Sequence, residues 1–144
     1  MTVDRYKRKL TAIFSADVKG YSSLMADDEE ATVSMITAYR EAMTGLIVDH
    51  GGRVVDAKGD NVLAEFPSVV IAVRCAVQVQ KELKKRNSDL PEHRRMEFRI
   101  GINLGDVIEQ EQGAIYGDGV NVAARLEGLA DGGGIVFREA PAIR

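Results

Sequence analysis

The chain has 144 residues, 45% hydrophobic and 28% charged, with a formal net charge of −3 and a single cysteine. This fits one globular domain with a core of its own, and it excludes the general basic footprint of a nucleic-acid binder and any apolar run long enough to span a membrane. Cys75 has no partner for an internal disulfide, and Met1–Lys9 is polar and basic with no leader pattern, so the expected location is cytoplasmic.

In chain order, Leu10–Val18 is an apolar run that ends at Lys19-Gly20 and predicts a buried strand. Ser22–Met25 suits a helical turn. Asp27-Asp28-Glu29-Glu30 then places acids at a helix start, where the dipole favours them. Val33, Ile36, Met43 and Ile47 follow at helical spacing, with Tyr39 or Arg40 between them, and His50-Gly51-Gly52 should stop the helix. Arg53–Ala57 and Asn61–Phe66 read as strands of a hairpin joined through Lys58-Gly59. Pro67–Arg86 predicts a second long helix, with Pro67 in its first turn. Its apolar face would be Val69, Val70, Val73, Ala76, Val77 and Leu83, with Cys75 half-buried and inert.

Asn87–Arg95 is a polar connection. In Met96–Ile108, Phe98, Ile100 and Ile102 alternate with Glu97, Arg99 and Gly101, which predicts a long strand. A turn at Glu109–Gly113 leads to Ala114-Ile115-Tyr116. Gly119–Ala130 reads as a third helix, and Ile135-Val136-Phe137 as a last strand. The order is β-α-β-β-α-β-α-β. Its first six elements match a ferredoxin-like α+β arrangement (βαββαβ), a sheet containing antiparallel pairs with helices on one face.

Two aspartates fall at turns of this scheme. Asp17 ends the first strand and Asp60 lies at the hairpin between the second and third. The first and third strands are central in this topology, so the two carboxylates can approach across one ladder. They then repel unless cations neutralise them, and two hard cations completed by substrate phosphates suit such a pair. Lys19, Gly20 and Tyr21 follow directly, and their backbone could cradle phosphates. Asn121 and Arg125 are one helical turn apart, suited to positioning an oxygen and meeting a phosphate with a charged fork. Singly, an Asp at a strand end is more often a turn former, and an Arg on a helix is usually solvated. The joint pattern points to nucleotide chemistry.

Phe14-Ser15-Ala16-Asp17-Val18-Lys19-Gly20-Tyr21-Ser22, Gly59-Asp60, Phe98–Gly105 and Val120-Asn121-Val122-Ala123-Ala124-Arg125 together resemble the catalytic domain of class III adenylate and guanylate cyclases of bacterial type. The resemblance runs from about Arg8 to Phe137. It implies a single cyclase domain that forms a 3′,5′-cyclic nucleotide and pyrophosphate from ATP or GTP. Asp17, Val18 and Asp60 would hold two Mg²⁺ or Mn²⁺ ions per site, and Asn121 and Arg125 would serve the transition state. It also implies a head-to-tail homodimer in which one subunit gives the aspartates and the other gives Asn121 and Arg125.

Two base-reading positions depart from the family. Asp56 stands where adenylate cyclases usually carry Lys and guanylate cyclases Glu, and Ala114 stands where adenylate cyclases usually carry Asp or Thr. Lys58 should share a strand face with Asp56 and either substitute for the missing base reader or pair with Asp56. The chain also ends at Arg144, just after a predicted strand, so the expectation is a domain short of its last strands. Arg138 or Arg144 would be the available stand-in for the family's phosphate-binding Lys. Such a fragment would fold with little activity, and its open sheet edge would favour self-association. ATP is the expected substrate. A guanylate cyclase using Asp56, or a degenerate nucleotide-sensing or dimerisation module, are the alternatives.

Overall fold

In the computed structural model, residues 6–138 are described, and Arg144 lies outside them. The elements are β1 (Tyr6–Val18), α1 (Tyr21–Asp27), α2 (Glu29–Asp49), β2 (Arg53–Lys58), β3 (Asn61–Phe66), α3 (Val69–Asn87), β4 (Phe98–Gln110), β5 (Ile115–Tyr116), α4 (Asp118–Leu129) and β6 (Ile135–Arg138). They form one sheet in the order β2-β3-β1-β4-β5, with β6 parallel to β4. The other pairings are antiparallel, so β1 and β3 are neighbours as the ferredoxin-like reading requires.

Alternation along β1 divides the molecule. Ala12, Phe14, Ala16 and Val18 point to one face and pack with Phe66, Phe98, Ile100 and Ile102 beneath α2 and α3. Phe14 and Phe66 meet there with ring centroids 5.8 Å apart. Ile13 points to the other face and joins Val107, Ile115 and Ala123 under α4. The first two long helices therefore share one face, and the third covers the opposite one.

Boundaries moved for local reasons. β1 includes Tyr6–Lys9 because these residues pair with Val107–Gln110, a ladder partner that an apolar count cannot reveal. For the same reason β4 runs on to Gln110. Pro67 lies outside α3: Ser68 is the cap, and its hydroxyl accepts from the Ile71 amide at 3.2 Å. With the helix phased from Ser68, Val70 and Val77 are exposed while Ala72, Cys75 and Val79 are fully buried. In α2, Tyr39 rather than Arg40 enters the core, and Val33 is exposed. The Tyr39 hydroxyl donates to Asn87 Oδ1 at 2.7 Å, which satisfies both buried groups.

Candidate active site

Asp17 and Asp60 come together as expected. The β2–β3 turn needs left-handed backbone at Gly59 (φ +57), which glycine adopts without steric cost. Arg40 of α2 donates to the Gly59 carbonyl at 2.7 Å and pins the turn. Asp60 follows, and its Oδ2 accepts from the Val18 amide at 3.1 Å. The second aspartate is thus fastened to the residue next to the first.

Asp17 is not free. Arg99 lies directly opposite it on β4 and makes a two-pronged pair, Nε to Oδ1 at 2.9 Å and Nη2 to Oδ2 at 2.7 Å. Glu127 of α4 lies behind this pair. Its Oε1 accepts from the Ser15 hydroxyl at 2.9 Å, and its Oε2 is 3.9 Å from Arg99 Nη2. Glu127 is 6% exposed. Burial first, then the neighbouring Asp17 carboxyl, push its pKa up to about 7, with Ser15 and Arg99 opposing. Arg99 is held charged above all by the Asp17 hydrogen bonds, with smaller contributions from the charges of Glu127 and Asp60.

One guanidinium therefore faces three carboxylates. That surplus of negative charge, made of hard oxygen donors, fits divalent cations of the Mg²⁺ class. No group of three or more acidic, His or Cys side chains poised to hold a metal occurs among the described residues. Asp17, Asp60 and the Val18 backbone would thus need substrate or water oxygens to complete a coordination shell, which suits a nucleotide-bound ion.

Arg99 and Glu127 carry little signal of a role in the sequence alone. A Glu late in a helix usually faces solvent. The available signal is its place on the stripe of Val120 and Ala123, seven and four residues after them, where a carboxylate has to point inward.

Lys19 and Gly20 continue from β1. The Lys19 amide donates to the Glu97 carbonyl at 2.9 Å. Gly20 (φ +66) turns the chain into α1, which begins at Tyr21. The Ser23 and Leu24 amides bond back to the Gly20 carbonyl at 3.1 and 3.2 Å, while the amides of Gly20 and Tyr21 precede the first helical acceptor.

Asn121 and Arg125 do not reach the aspartates of their own chain. Both lie on the outer side of α4 and are exposed, and Arg125 Nη2 is 3.6 Å from Asp118 Oδ1. Arg125 also lines a cavity of about 580 Å³ with Asn103, Asp118 and Arg138. Arg138 is held there by its Nε hydrogen bond to Asn103 Oδ1 at 3.2 Å.

The positions at which the resemblance expects base readers, Asp56, Lys58 and Ala114, lie on or near β2. One extra residue, Val55, interrupts the β2–β3 register. Beyond it Asp56 pairs with Leu63 and Lys58 with Asn61, so both side chains share the α4 face with Ser15 and Asp17. Ala114 lies at the opposite end of the β1–β4 ladder from Asp17. It is brought to β2 instead: Arg53 donates to the adjacent Gly113 carbonyl at 2.9 Å, and Val55, Ile115 and Val120 share one apolar cluster.

The family model described as "Adenylate and Guanylate cyclase catalytic domain" matches residues 3–141. The chain belongs to this family. The cyclase domain is 44% identical over 140 residues to a Rhizobium meliloti protein provisionally named adenylate cyclase 3, covering 96% of this chain and 24% of that protein. It thus spans about a quarter of that relative's length. Among solved structures, an adenylate/guanylate cyclase/hydrolase from Silicibacter pomeroyi superimposes with TM-score 0.84 at 41% identity, over 92% of this chain and 77% of that one. The guanylyl cyclase Cya2 gives TM-score 0.80 at 27% identity, over 91% and 75%. Among the described residues no helix is long and apolar enough to cross a membrane.

Proposed function

We propose that this domain closes a nucleoside triphosphate into its 3′,5′-cyclic monophosphate with release of pyrophosphate, at sites shared between two head-to-tail copies. The observation that carries this reading is the separation of the two functional groups. Asp17 and Asp60 form an acidic cluster at one rim, while Asn121 and Arg125 face outward from α4. A second copy supplies what each half lacks.

Asp17, Asp60 and the Val18 backbone are suited to hold Mg²⁺ or Mn²⁺, two per site. Such ions draw charge from the phosphate and acidify a ribose hydroxyl. Asn121 orients the ribose, and Arg125 meets the charge developing on the transferred phosphoryl group. Gly20 and Tyr21 offer amides to the phosphates, and Lys19 adds its charge. ATP is the substrate we favour, because the Rhizobium meliloti relative bears the name adenylate cyclase. Asp56, Lys58 and Ala114 surround the position of the base. There Lys58 offers a donor and Asp56 an acceptor.

The test compares the full-length protein with Asp17→Ala, with ATP and GTP in competition. Cyclic nucleotide from the wild type and a loss of at least about 100-fold in the variant support the reading. Equal production by both would sink it. The altered Asp56 and Ala114 positions favour one rival, a cyclase fold that senses nucleotide or dimerises without turnover. Turnover of either nucleotide rejects that rival.

A further inference from the structure

Glu127 is a buried ionisable side chain with no task in the reaction proposed above. Its backbone is locked in place, because α4 lies so close on β4 that a Cβ at Gly101 would fall 2.8 Å from Glu127 Cα. Ser15 holds Oε1, which leaves Oε2 directed at Arg99, 3.9 Å from Nη2. Arg99 therefore stands between two carboxylates, and it is bonded to the nearer one, Asp17.

The lone pairs of Asp17 that accept from Arg99 are those a cation would use. A two-pronged guanidinium engages both oxygens, so a cation at Asp17 displaces at least one of these bonds. The side chain of Arg99 is only 28% exposed, and its freed N–H groups need an acceptor. Asp60 is claimed by the same cations. Glu127 is already beside Arg99, buried where an anion needs a counter-charge.

We infer that Glu127 is a positioning residue that receives Arg99 when a divalent cation engages Asp17, releasing the carboxylate while keeping the guanidinium at the site. The cation in this inference rests on the cyclase reading. The hand-over itself does not, because loss of the Asp17 carboxylate by any route should produce it.

Two measurements on the full-length protein test this. The first uses no cation and compares thermal midpoints of wild type, Glu127→Gln, Asp17→Ala and the double variant. Gln keeps the volume and the Ser15 contact but not the charge. Glu127→Gln should lower the midpoint by at least about 3 °C more in the Asp17→Ala background than in the wild type. Equal shifts in the two backgrounds would overturn the hand-over. The second follows free Mn²⁺ by electron paramagnetic resonance in the presence of 3′-deoxy-ATP, which cannot cyclise. Glu127→Gln should bind Mn²⁺ about 10-fold or more weakly, and unchanged affinity would overturn the coupling to the cation. Asp17→Ala binding Mn²⁺ as well as wild type would instead overturn Asp17 as cation ligand, and the cation as trigger with it, leaving the first measurement to decide the hand-over.

Discussion

Gly101 is a point of closest approach between α4 and the sheet: a Cβ there would lie 2.8 Å from Glu127 Cα and closer still to Glu127 N and Ala123 O. All three are backbone atoms, which cannot rotate aside. Gly101→Ala should therefore destabilise the fold by about 2–3 kcal/mol through overpacking. The midpoint of urea unfolding should fall at constant slope. An unchanged midpoint would mean that α4 sits farther from β4 than described.

Mixing two inactive proteins tests the shared site. Asp17→Ala and Arg125→Ala should each be inactive alone. Heterodimers gather both lesions in one site and leave the other intact. Random re-pairing should then restore about a quarter of wild-type activity. No recovery after verified subunit exchange would place both residues in one chain's site.

Glu65 anchors the far end of the sheet. It is 7% exposed and accepts from Lys9 at 3.1 Å, from Thr11 at 3.1 Å and from Arg53 at 2.9 Å. Burial raises its pKa, but hydrogen bonds from Lys9, Arg53 and Thr11 outweigh this and hold it below the usual 4.5. The carboxylate's contribution to stability is therefore complete above pH 4.5 and is lost as pH falls through the lowered folded value. Glu65→Gln should cost about 1–3 kcal/mol at neutral pH and flatten the acid limb of a stability profile. Arg53 is 43% exposed, so its removal alone should cost under about 1 kcal/mol. An acid limb that stays as steep in Glu65→Gln would assign it to other groups.

Cys75 is fully buried, and burial pushes its thiol up to about 12. It should resist a disulfide reagent at pH 8 in the native protein and react fully in denaturant. Reaction of the native thiol at the rate of a free one would contradict the packing of α3.

The parts legible in the sequence were those whose signal is local. Alternation marked β1 and β4, glycine marked the β2–β3 turn, and the strand order then brought Asp60 to Val18. What stayed hidden depends on contacts between distant segments. Tyr6–Lys9 are polar and become strand only because β4 pairs with them. Val70 and Val77 looked like core, but Ser68 set the rotation of α3 and left them exposed. Arg99 read as the polar side of an alternating strand, and only the β1–β4 register places it on Asp17. Glu127 needed the bare surface of Gly101 before it could be buried at all.

The surplus residue in β2 has a consequence of its own. Side chains on a strand alternate with period two, so a count of one decides which face each presents. Val54 faces the α2–α3 core and pairs with Ala64, and in an uninterrupted ladder Asp56 would follow it there opposite Val62. The insertion at Val55 reverses that parity and delivers Asp56 and Lys58 to the face of Asp17. Two chains with the same Asp and Lys, differing by one residue upstream, would show opposite surfaces to the same ligand. What this strand offers is thus encoded in spacing as much as in side-chain identity, and a single-residue insertion or deletion here changes which side chains share the face of Asp17.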